Sequence, residues 1–146
     1  ERVVNMERTN IRHVTPDMLQ EPIEFFSVDV SFISLKHIFP VADSICVLGA
    51  NGVCLVKPQF EAGREKVGKK GVVREASTHI EVIRNAIGFA LANHFSVRGL
   101  DYSPIKGPEG NIEFLIHVVH DGEQVSPDDA AIRAVVAAAH QSLNGE

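Results

Sequence analysis

Two apolar runs with a helical stretch between them constrain this chain more than any other feature. IEFFSVDV (residues 23–30) and ANGVCLVK (50–57) read as β-strands. The segment from Ser34 to Ser44 between them reads as a helix, with Pro40 expected to kink it or end it early. Strand, helix and strand in that order make a βαβ unit, and RVVNM (2–6) reads as one more strand ahead of it. All three are expected to be inner, parallel strands. The third has a Gly-Ala-Asn-Gly turn before it and ends abruptly, in LVKPQFE (55–61), on a lysine followed at once by proline.

Beyond that point the pattern changes. From Thr78 to His94, Ile80, Ile83, Ile87, Ala90 and Leu91 recur at helical spacing, and Thr78 with Glu81 forms a capping-box pattern. FSVRGLDYS (95–103) and IEFLIHVV (112–119) read as strands joined by a loop rich in Pro and Gly, an antiparallel pair at a sheet edge. Ser126 is expected to cap a last helix, with Pro127 at its first position and Asp128 and Asp129 in its first turn. Ile132, Val135, Val136 and Ala139 are its inner stripe. With 146 residues, 45% of them hydrophobic, the chain is long enough for one compact core.

The architecture implied is α/β: a partial doubly wound, Rossmann-like sheet of the methyltransferase kind, ending in an antiparallel pair. In such sheets ligand and chemistry sit at the carboxyl ends of the parallel strands. Asp29 ends one predicted strand and Lys57 the next. Glu113, near the start of an antiparallel strand, comes to the same rim. Topology, not sequence distance, makes the three converge.

Charge and composition exclude several functions. A net charge of −5 argues against a generally adhesive nucleic-acid binder. Yet Arg64, Lys66, Lys69, Lys70 and Arg74 gather five of the fourteen basic residues directly after the strand that ends at Lys57. Contact with RNA phosphates is favoured there over a merely solvated loop. Cys46 and Cys54 lie in apolar surroundings without metal-like spacing and read as small core residues in a reducing cytoplasm. His117 and His120 fall on opposite faces of a strand, so no metal site is expected. No run approaches the length of a membrane span and nothing resembles a signal peptide, so a cytoplasmic location and no membrane partner are expected. The chain lacks an initiator Met and opens on an apolar run, Val3-Val4, as a piece of something longer would.

NMERTNIRH (5–13), VDVSFISL (28–35), LVKPQFEAGREKVGKKGVVRE (55–75) and SPIKGPEGNIEFL (103–115) together resemble the TlyA-type, hemolysin-like family of ribosomal RNA 2′-O-ribose methyltransferases, relatives of the FtsJ-type enzymes. The match runs through nearly the whole chain in the right order. The resemblance implies methyl transfer from S-adenosylmethionine to a ribose hydroxyl, with a lysine, aspartate, lysine and glutamate around that hydroxyl. Asp29, Lys57 and Glu113 fall on the last three positions. It also implies that residues 1–146 are the C-terminal part of an FtsJ-like catalytic domain. The family's first lysine and its glycine-rich cofactor loop lie upstream of this segment.

In the family's strand order, the absent first strands belong beside the strand ending at Asp29, which is expected to be an exposed edge open to a homodimer. Glu7 to Asn10 follow the first strand, where such folds approach the adenine; cofactor contact and turn capping are equally open there. Ribosomal RNA or a ribosomal subunit is the implied partner. A non-catalytic RNA-binding or ribosome-assembly module that keeps the fold is the alternative. The membrane toxin suggested by the word hemolysin is set aside, because there is neither a span nor a strongly amphipathic basic helix. A lysine near its ordinary pKa of about 10.4 is a poor base at neutral pH. Lys57 is therefore expected to orient the hydroxyl and stabilise developing alkoxide character, while Asp29 and Glu113 hold it in place.

Overall fold

The computed structural model describes residues 2–144. β1 (Ile23–Val28), α1 (Phe39–Ile45), β2 (Cys46–Val56), α2 (Pro58–Glu61), α3 (Ala76–Ala92), β3 (Ser96–Tyr102), β4 (Phe114–Val119) and α4 (Asp129–Asn144) follow in that order. The four strands form one open mixed sheet in the order β1-β2-β4-β3. β1 runs parallel to β2, while β4 is antiparallel to both β2 and β3. The βαβ unit and the terminal antiparallel pair stand as expected.

Several expectations need correction. Residues 2–6 form no strand. Val3 and Val4 are exposed, since an apolar run becomes a strand only where a neighbour takes up its backbone hydrogen bonds. β1 is accordingly an edge of the sheet, and the parallel arrangement is confined to its pairing with β2. Nor is Pro40 a kink. It lies in the first turn of α1, where a missing N–H costs nothing, and the preceding Leu35–His37 forms a separate 3-10 turn. The Gly-Ala-Asn-Gly stretch lies inside β2: Gly49 takes a φ of +89°, and the register against β1 shifts there as in a bulge.

Helix starts also differ. α3 begins at Ala76 after Glu75, so Thr78 is buried in its first turn instead of capping it. The cap of α4 is Asp128, whose carboxylate accepts from Ala131 N at 2.8 Å, leaving Ser126 and Pro127 outside the helix.

Alternation along β2 and β4 sets the core. Cys54, Val56, Phe114, Ile116 and Val118 are fully buried on one face under α1, α3 and α4. Val53, Leu55, Leu115 and His117 on the other face are only half-buried or exposed. Gly52 is needed here: a Cβ on it would meet the ring of Phe26 in β1, the strand partner whose ring packs edge-on against Phe95. Burial pushes the Cys54 thiol up to about 12, in keeping with a core residue that does no redox work. Among the described residues no helix is long and apolar enough to cross a membrane.

Candidate active site

Proline explains why the strand ends on lysine. The residue before a proline is driven out of the α region, and Lys57 accordingly stays extended (φ −107°, ψ 101°) while Pro58 opens α2. The Lys57 side chain is thereby left at the rim of the sheet, 14% exposed, in an ion pair with the 67% exposed Asp29 carboxylate one residue past β1. Strand ends that are neighbours in a parallel pair bring these two groups together.

Glu113 reaches the same rim from the far side. It is 7% exposed, immediately before β4, and its carboxylate accepts from Gln59 Nε2 at 3.1 Å. The loop ahead of it is built around that carboxylate: a Cβ on Gly107 would lie 2.6 Å from Glu113 Oε2. That close approach explains a glycine in SPIKGPEGN. Lys57, Gln59, Phe60 and Glu113 line one cleft of about 380 Å³, with Ser31 and Phe32 on its β1 side. Asp29 faces a second cavity of about 290 Å³, walled by Ile11, Phe26, Val30, Ile38 and Val41. The Asp29–Lys57 pair thus stands between the two, Asp29 on the cavity and Lys57 on the cleft.

Two residues in the cleft and one beside it are not assigned by the sequence. Gln59 turns its amide nitrogen to Glu113, which leaves its buried Oε1, enclosed from solvent, without a hydrogen-bond partner. Phe32 is 91% exposed at a φ of +64° and lies against Phe60, ring centroids 4.9 Å apart. No periodicity could have marked it, because its neighbourhood exists only after folding. Glu61, at the end of KPQFE, accepts from Ser34 Oγ at 2.7 Å and Leu35 N at 2.9 Å. It therefore fastens the Phe32 loop to α2. Burial raises the Glu61 pKa, against the lowering effect of those two hydrogen bonds.

Of the five basic residues, Arg64 and Lys66 lie on a short 3-10 turn, and Lys69 and Lys70 on the exposed turn that follows. Lys66 pairs with Glu81 of α3 at 3.6 Å. Val67 and Gly71 of this loop line the cleft, so its charges border the site. Arg74 is exposed and faces a different cavity.

Glu7 and Asn10 do not join the cluster. Glu7 accepts from Asn5, and Asn10 caps the turn Ile11–His13 through Arg12 N at 3.0 Å, so capping is what Asn10 does here. It is Ile11 that reaches the cavity beside Asp29. Among the described residues no cluster of metal-binding side chains occurs.

Residues 1–119 match the FtsJ-like methyltransferase family. "Putative rRNA methyltransferase YqxC" of Bacillus subtilis is 49% identical, covering 98% of this chain and 52% of that protein. "16S/23S rRNA (cytidine-2'-O)-methyltransferase TlyA" of Mycobacterium tuberculosis is 36% identical, covering 79% of this chain and 43% of that protein. A solved structure, "Putative hemolysin from Streptococcus thermophilus", superposes with a TM-score of 0.92 at 46% identity, over 99% of this chain and 53% of that one. The chain spans about half the length of the curated relatives it matches. With that family match over most of its length, and with an open α/β sheet of the same shape as these relatives, the chain belongs to the FtsJ-like methyltransferase family.

Proposed function

We propose that the protein carrying this chain transfers a methyl group from S-adenosylmethionine to a ribose 2′-hydroxyl of ribosomal RNA, and that the chain is the C-terminal part of its catalytic domain. The observation that carries the reading is the Asp29–Lys57 pair, which stands between a largely aliphatic cavity and the cleft that holds Glu113 and the Phe32 and Phe60 rings. The cavity fits a ligand that is partly apolar and cationic: its walls are mostly aliphatic, with the Phe26 ring, and Asp29 adds a carboxylate. Asp29, with Ile11 and Val30 beside it, would hold S-adenosylmethionine, which when bound supplies an electrophilic methyl group.

The cleft's own residues then have defined tasks. Attack in line with the methyl group requires the hydroxyl to be fixed within a few tenths of an ångström. Lys57, in its ion pair with Asp29, donates to the hydroxyl oxygen and stabilises the negative charge that grows on it as its proton passes to solvent water. Glu113 holds the Gln59 side chain at the cleft beside Lys57 by accepting from its amide nitrogen. Phe32 and Phe60 offer an aromatic surface at the cleft for an unstacked base, which is how proteins hold single nucleotides pulled from a helix. The TlyA relative is named for the same 2′-O chemistry.

The test is transfer of labelled methyl from S-adenosylmethionine to ribosomal subunits by the full-length protein, followed by alkaline hydrolysis of the RNA. A 2′-O-methyl group blocks cleavage at its own linkage, so the label is expected in alkali-resistant dinucleotides. Label in mononucleotides would mean base methylation, and RNA binding without label would mean a non-catalytic module.

A further inference from the structure

The wall of the cleft has a second side. It consists of two chain segments, residues 71–74 and 106–113, tied together by the fully buried Asn111. Its carboxamide accepts from Val73 N at 2.8 Å and donates to Gly71 O at 2.8 Å, while its backbone carbonyl accepts from Gly107 N at 2.8 Å. Gly71, Pro108, Glu109 and Glu113 face the cleft. Arg74, Lys106 and Gly110 face the opposite way, into a cavity of about 350 Å³ closed by α4.

The side chains of that cavity are set for an anion. Among the described residues Arg74 and Lys106 line it and no carboxylate does, in a chain whose net charge is −5. Among the described residues Arg74 has no ion-pair partner. Lys106 Nζ is held toward Asn144 Oδ1 at 2.9 Å. The imidazole of His140 is oriented from behind. Buried His79 donates Nε2–H to Val73 O at 3.0 Å, so its Nδ1 is left to accept from His140 Nε2 at 2.8 Å. A guanidinium fork, an ammonium and polar groups fixed around one small cavity form the usual setting for a phosphate.

We propose that this cavity docks a backbone phosphodiester of the same RNA strand whose ribose enters the cleft, with Arg74 and Lys106 as its cationic ligands. The proposal rests on the RNA reading above and extends it. Cleft and cavity share one wall, so a strand crossing that wall meets both. Phosphate contacts of this kind fix register and orientation without reading sequence. Here they would place one ribose against Lys57.

The experiment uses the full-length protein and the variants Arg74→Ala, Lys106→Ala, their double, and Lys106→Arg as the conservative rescue. Affinity for a ribosomal RNA fragment is measured between about 50 and 200 mM salt. The double variant is expected to bind about tenfold more weakly, with a log–log salt slope shallower by about 0.7, the loss of one phosphate contact on a single strand. Lys106→Arg is expected to restore most of the loss. In parallel, inorganic phosphate is titrated while the imidazole ¹⁵N resonances of His140 are followed, with a shift expected in wild type and none in the double variant.

If Lys106 only secures the last turn of α4, Lys106→Ala lowers the melting temperature and leaves the salt slope alone, which overturns the docking site. So does a phosphate-induced shift without any change in RNA affinity, since the cavity would then serve free phosphate. Failure of the wild-type protein to bind RNA at all would instead overturn the reading beneath it.

Discussion

Phe32 holds a left-handed backbone and leaves nearly all of its ring in water, two features that each cost free energy. Phenylalanine is among the residues least suited to that conformation, and glycine suits it best. Phe32→Gly is therefore expected to leave stability unchanged or raise it by about 1 kcal/mol in denaturant titrations. RNA affinity should fall at the same time, by about tenfold if one base stacks on the ring. A variant that gains stability and keeps its RNA affinity would take Phe32 out of the site. The strand-end residues Asp29 and Lys57 were legible in the sequence because a charge closing an apolar run has a place in the fold before its contacts are known. Phe32 and Gln59 were not. A left-handed φ and an acceptor without a partner are properties of the assembled site, and neither leaves a mark on spacing.

The site's walls are elements that the sequence showed only as loops. Asn111 is the tie between them, and Asn111→Ala would strip hydrogen bonds from Val73 N and Gly71 O in a buried place. A loss of about 3 kcal/mol is expected from chemical denaturation, with activity falling because Glu113 and Gly71 both line the cleft. A loss under about 1 kcal/mol would mean that water readily replaces the carboxamide. The basic loop makes a separate prediction. Lys69 and Lys70 are exposed beside Val67 and Gly71 of the cleft, and replacing both by Ala is expected to weaken RNA binding and flatten its salt dependence. An unchanged slope would make the loop a solvated turn. At this scale the sequence was clearest where periodicity runs long, as in α3 and α4, and in the β3–β4 pair. It misled at residues 2–6, where apolar character was present but no strand was there to pair with, and at Pro40, where a helix breaker turned out to be a helix starter.

Across the whole molecule, one buried group links stability to pH. Burial pushes the His79 imidazole down to about 4, with the Val73 hydrogen bond opposing and His140 adding to the drop. The unfolded chain titrates near the ordinary value of 6.5, so between about 6.5 and 4 it binds more protons than the folded one. Stability from this group is complete above that window and falls as pH drops through it, by about 3 kcal/mol. Denaturation midpoints measured from pH 7 to 4 should show the slope, and His79→Gln should flatten it. An unchanged slope in the variant would place the titration elsewhere. The same fold brings Asp29, Lys57 and Glu113 to a rim where a parallel strand pair meets an antiparallel one. Its most direct test is single-turnover methyl transfer to ribosomal RNA by full-length Lys57→Ala, with S-adenosylmethionine affinity measured alongside. Loss of transfer by at least about 100-fold is expected, with cofactor affinity little changed; transfer at the wild-type rate would remove Lys57 from the chemistry.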